Sequence, residues 1–121
     1  MPTLNMNGPF ALKTDVIDKE VNRKTHANYA LGYNDQSDGK LVVCYVGRSD
    51  TDVNDRLKKW IGKTTHALFK YSYAASPKEA FEKECNNYHD FTPKENTIHP
   101  DRPENSGWKC PRCNVFDEKR K

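Results

Sequence analysis

No stretch of this 121-residue sequence stays apolar for the length of a membrane span, and it contains no internal repeat and no low-complexity tract. A helical membrane protein, a solenoid and a fibrous array are therefore excluded as expectations. Apolar residues are scarce too: 35% are hydrophobic against 31% charged, enough for one modest core and no more. Residues 1 to 19 lack any apolar run, and the first basic residue is Lys13, so no secretory leader and a cytoplasmic location are expected. A dense basic patch is missing as well. The net charge of +3 and pI near 8.6 permit phosphate binding without demanding it.

What is present begins with three strand-like segments. Asn28-Tyr29-Ala30-Leu31-Gly32-Tyr33 and Leu41-Val42-Val43-Cys44-Tyr45-Val46-Gly47 are joined by the turn-rich Asn34 to Lys40. Ala67 to Tyr73 alternates with period two, which puts Ala67, Phe69, Tyr71 and Tyr73 on one face. Two helices are expected between and after them. Ser49-Asp50-Thr51-Asp52 offers N-caps for the first, with Val53, Leu57 and Trp60 recurring at i, i+4 and i+7. Ser76-Pro77-Lys78-Glu79 opens the second as a capping box with proline at the first helical position.

The second helix carries an anomaly. Stepping about 100° per residue from Ala80 places Phe81 and Tyr88 on one stripe, with Glu84 near its centre at about 40°. Glu79, Glu82 and Lys83 fall on the opposite side. A carboxylate at the centre of a buried face is costly unless its charge is compensated, by a salt bridge or by a metal ion. On the first helix Arg56 lies about 40° from Trp60, at the margin of the apolar stripe, where a guanidinium can overhang a cleft while its stem packs. Tyrosine hydroxyls, a guanidinium and a metal-holding carboxylate are what phosphodiester hydrolysis needs. They orient a water, neutralise the phosphate and hold a divalent ion on its oxygens.

The ordered set Tyr29-x-Leu31, Tyr45-Val46-Gly47-Arg48-Ser49, Val53-x-x-Arg56-Leu57 and Glu79-Ala80-Phe81-x-x-Glu84 resembles the GIY-YIG nuclease superfamily over about residues 27 to 88. Ala27-Asn28-Tyr29 stands where Gly-Ile-Tyr would be expected, and the loop between the two signatures is long. The resemblance implies an α/β (α+β) fold, with a small three-stranded antiparallel sheet flanked by helices. It also implies a DNA endonuclease site of Tyr29, Tyr45, Arg56 and Glu84. Tyr29 would be the base, Tyr45 its partner, Arg56 the transition-state cation and Glu84 the holder of one Mg²⁺ or Mn²⁺. Arg48, His66 and Lys70 are candidates for touching the DNA backbone. The competing expectation is a non-catalytic zinc-stabilised module of the same fold that binds nucleic acid or protein. A separate protein partner could supply targeting, and nothing in the sequence sets an oligomeric state.

Four cysteines are present: Cys44, Cys85, Cys110 and Cys113. Cys110-Pro111-Arg112-Cys113 has zinc-knuckle spacing and needs two further ligands. Cys85 and His89, at i and i+4, supply them, with His99 as the alternative. Cys44 reads as a core residue. A reduced compartment disfavours disulfides, and a redox CxxC normally opens a helix, unlike this one in a proline-rich segment. The expected organisation is an N-terminal extension over 1–26 that covers the sheet, a nuclease-like domain over 27–91, and a zinc-stapled extension over 92–121 on the last helix.

Overall fold

The computed structural model describes residues 4–34, 41–64, 66–96, 99–100 and 107–113. The turn-rich loop expected between the first two strands falls largely outside them. Among the described residues the chain runs β1 (Asn7–Ala11), α1 (Thr14–Glu20), β2 (Ala27–Asn34), β3 (Leu41–Ser49), α2 (Val53–Trp60), β4 (Leu68–Tyr73) and α3 (Pro77–Phe91). No helix among the described residues is long and apolar enough to cross a membrane.

The sheet has four antiparallel strands in the order β1-β4-β2-β3, which corrects the expectation of three. The fourth strand comes from the segment read as a covering extension: Phe10 and Ala11 pair with Phe69 and Leu68 of β4. Pro9 cannot donate to a ladder, and an edge strand is where a sheet tolerates it.

Alternation divides the sheet into two faces. Tyr29 and Leu31 lie opposite Gly47 and Tyr45 across β2 and β3, and this face packs with Ile17 and Val21 and with Val53 and Leu57 of α2. Asn28 and Ala30, opposite Arg48 and Val46, make the other face, which α3 covers. The helix starts follow the sequence signals. The Asp52 side chain accepts from Asp55 N at 3.3 Å, and the Ser76 hydroxyl accepts from Glu79 N at 3.1 Å, each satisfying an otherwise orphaned amide.

Asn28 is fully buried where the sequence pattern would lead one to expect an aliphatic residue. Its side-chain amide donates to Ala80 O of α3 at 2.8 Å, so the polar residue ties the central strand to the helix above it. Beyond α3 the chain returns to the outer side of β3. Glu95 N donates to Cys44 O at 3.0 Å, and the Asn96 side chain pairs with Val46 twice, accepting from its N at 2.8 Å and donating to its O at 3.0 Å.

Candidate functional site

Glu84 points into the sheet-facing side of α3 and is 8% exposed. Its Oε1 accepts from Arg48 Nη1 at 2.6 Å, and Arg48 in turn holds Asp50 through Nε at 2.8 Å. Burial pushes the Glu84 carboxyl up to about 7, against the pull of the Arg48 guanidinium. Taking a carboxylate out of water costs more than one close cation returns here, so the group titrates near neutrality. Arg48 was expected on a DNA backbone. Its side chain is instead sequestered between two carboxylates, a partnership invisible in sequence because 36 residues separate Arg48 from Glu84.

The tyrosines occupy the opposite face. Tyr29 is 1% exposed, and its hydroxyl accepts from Trp60 Nε1 at 3.0 Å. That hydroxyl also hydrogen-bonds Tyr45, whose ring tilts against Trp60 with centroids 4.8 Å apart. Burial raises both phenols above their ordinary value. Gly47 makes the arrangement possible. A Cβ there would come within 2.6 Å of both Tyr29 Cζ and its hydroxyl, and within 3.0 Å of Tyr45. The glycine of the Tyr-Val-Gly triplet is therefore required by the ring that β2 sends across it.

Arg56 stands exposed on α2. Its positive charge lowers both phenols and the Glu84 carboxyl, and the Glu84 charge raises both phenols. The four residues read from the sequence thus lie within electrostatic reach of one another, although they come from both faces of the sheet. The other two DNA-contact candidates behave differently. His66 Nε2 meets the Glu95 carboxylate and its ring stacks on Tyr33, so it too is engaged by a carboxylate. Lys70 sits half-buried in β4, opposite Ala30.

A second constellation forms at the end of α3. Ligand atoms of His89, His99, Cys110 and Cys113 all lie within 4.8 Å of one another, a set that could hold a metal ion. The Cys110 sulfur is 3.4 Å from His89 Nε2, and the Cys113 sulfur is 3.5 Å from His99 Nε2. Tetrahedral zinc with bonds of about 2.0–2.3 Å separates neighbouring ligand atoms by about 3.5 Å, which these two pairs match. His99 Nδ1 lies 2.8 Å from Pro100 O, so the proton sits there and Nε2 is left as the ligating nitrogen.

This set differs in one member from the sequence expectation: His99 takes the place of Cys85. The helical wheel put Cys85 and His89 on the same stripe, but Cys85 lies a turn deeper. It is fully buried with Phe81, Cys110 and Trp108, and hydrogen-bonds Cys110. Its sulfur is not among the ligand atoms that lie within 4.8 Å of one another. His99 reaches the cluster by stacking edge-on against Tyr88, with centroids 5.1 Å apart. Cys44 is buried, in line with a core role.

No protein-family model, no curated protein and no solved structure matches the chain.

Proposed function

We propose that the chain is a metal-dependent DNA endonuclease of the GIY-YIG type. The observation that carries the reading is the hydrogen-bonded pair Tyr29 and Tyr45, set against Trp60 of the helix that carries Arg56, with the buried Glu84 carboxyl near enough for its charge to act on both phenols. Perturbed titrations of several groups within one small region are a mark of functional sites. A single carboxylate with water and phosphate completing the shell suits Mg²⁺ or Mn²⁺, which when bound would polarise the scissile phosphate.

The chain's own groups divide the remaining work. Arg56, exposed beside Tyr45, is available to the equatorial phosphate oxygens. Trp60 donates to Tyr29 and Tyr29 bonds Tyr45, so the relay ends at the less buried phenol. This favours Tyr45 as the group that orients or deprotonates the attacking water, with Tyr29 holding it in place. After burial, the Glu84 charge is the largest cause raising Tyr45, so neutralising that charge makes Tyr45 easier to ionise to the phenolate. Asp50 keeps Arg48 partnered if Glu84 turns to a cation.

The cluster of His89, His99, Cys110 and Cys113 reads as a structural zinc site. Two thiolates and two imidazoles are a closed tetrahedral donor set, with no position left for substrate. It would fasten the Cys110–Cys113 knuckle to α3, the helix that carries Glu84.

One observation favours a second reading, a non-catalytic module of this fold: Arg48 satisfies Glu84 directly. Nicking of supercoiled plasmid with Mg²⁺ or Mn²⁺, measured with melting temperature for wild type, Glu84→Ala and Arg56→Ala, separates the two. Cleavage lost in both variants with folding retained supports the enzyme. No cleavage by wild type, together with a collapsed melting temperature in Glu84→Ala, supports the module.

A further inference from the structure

The cavities of this molecule differ in the sign of what lines them. One beside α1 mixes Asp18, Asp52 and Asp55 with Arg23, Lys24 and Lys58, so its charges offset. Another, of about 190 Å³, is lined by Arg56, Lys59, Trp60 and Lys63: three cations, one aromatic ring and no acid. Its Trp60 wall is the indole that bonds Tyr29 and packs on Tyr45. The cavity thus shares Trp60 and Arg56 with the candidate site.

The backbone brings these cations together deliberately. Arg56, Lys59 and Trp60 are neighbours on one side of the last turns of α2, at spacings of three and four. Lys63 belongs to the turn that follows, where Gly62 at φ +86 reverses the chain and Lys63 N donates back to Trp60 O at 2.9 Å. Only glycine adopts that φ readily, and its Cβ position is otherwise open, so the turn and not crowding dictates the residue. The helix dipole alone would account for cations in the last turn, but not for a lysine returned to the same groove from beyond it. Lys59 has one partner in the groove's vicinity, Asp55 at 3.3 Å, and both side chains are exposed, so that pair is weak.

We infer that this groove is the track for the sugar-phosphate backbone of the DNA strand next to the reacting phosphate, gripped by Lys59 and Lys63. The inference rests on the phosphodiester reading for its choice of ligand, and it replaces Arg48 and His66 as backbone contacts. A flexible lysine is a point charge suited to successive phosphates without regard to sequence. Trp60 supplies an apolar wall against which sugars pack. Cleavage directed by this groove would show little sequence preference.

Binding of a fluorescein-labelled DNA oligonucleotide to the full, zinc-replete chain, followed by anisotropy with no added Mg²⁺ or Mn²⁺, tests this independently of hydrolysis. Lys59→Ala/Lys63→Ala should weaken binding at least tenfold at low salt and reduce the slope of log K against log salt by about two. Lys19→Ala/Lys24→Ala, two exposed lysines elsewhere, should leave both unchanged. Lys63→Gln, outside the helix, should lose about one from the slope even if the double variant folds poorly. An unchanged slope, an equal loss in the control pair, absence of DNA binding, or equal competition by polyglutamate of the same charge would overturn the groove. A chain that shows the two-lysine loss but cleaves nothing keeps the groove and discards the nuclease reading.

Discussion

Gly47 lies directly beneath the Tyr29 ring: a Cβ at that position would approach Tyr29 Cζ and its hydroxyl to 2.6 Å. Both residues are paired Cα to Cα across β2 and β3, so neither backbone can retreat without breaking the ladder. Tyr29 also packs in the core with Leu31, Leu57 and Phe69, and close-packed interiors leave a ring little room to shift. The relationship fixes the tyrosine hydroxyl against Trp60 and Tyr45.

Gly47→Ala should therefore cost about 1–3 kcal/mol, the usual range for forced overpacking. Thermal unfolding followed by circular dichroism checks it, and a melting temperature equal to wild type would mean the ring yields freely.

The stability contribution of Glu84 should depend on pH in a defined direction. Its carboxyl is raised from 4.5 to about 7 in the folded chain. The folded state thus prefers the protonated form. The stabilisation is complete below about pH 4.5 and is lost as pH rises through about 7. Relative to Glu84→Gln, wild type should lose up to about 3 kcal/mol between those limits and then level off. Urea unfolding of both proteins across pH 4.5 to 8.5, with no added divalent ion, measures the difference. A flat difference would show that Arg48 fully offsets burial.

Purified protein should carry about one equivalent of zinc per chain. Cys110→Ser and His99→Ala should each reduce it sharply and lower the melting temperature, while Cys85→Ser should keep the metal. Elemental analysis decides between the two ligand sets, because loss of zinc in Cys85→Ser with retention in His99→Ala reverses the assignment.

The two tyrosines should separate in kind. Tyr45→Phe should reduce plasmid nicking at least a hundredfold with the melting temperature unchanged, since general acid-base groups contribute about 10²–10⁴ in rate. Tyr29→Phe removes the acceptor of the half-buried Trp60 N–H and should cost about 1 kcal/mol of stability. Paired nicking and melting measurements would refute the division if Tyr29→Phe were stable and inactive.

The parts of this fold legible in the sequence were those governed by local rules. The alternation in β4 and the Ser76 N-cap are properties of short windows, and they appear where the pattern puts them. The strand Asn7–Ala11 was not legible, because Gly8 and Pro9 erase its alternation and only its edge position makes it permissible. Glu84 stood out on the helical wheel, but the wheel could not supply Arg48, which arrives from another element and the other side of the turn. The same limit exchanged Cys85 for His99. A wheel reports angle and not depth, so two residues a turn apart looked equally able to reach one ion.

The pairing of the Asn96 side chain with both backbone groups of Val46 has a consequence for how molecules of this chain meet. β3 ends the sheet, and an uncovered terminal strand is a template on which a second chain can add its own. One primary amide, presenting its oxygen to the Val46 N–H and its nitrogen to the Val46 carbonyl, imitates the next strand and then stops. With Glu95 N covering Cys44 O beside it, the ladder is terminated chemically instead of being left to solvent. Growth of the sheet past Cys44 and Val46 would have to displace Glu95 and Asn96, residues outside the candidate site.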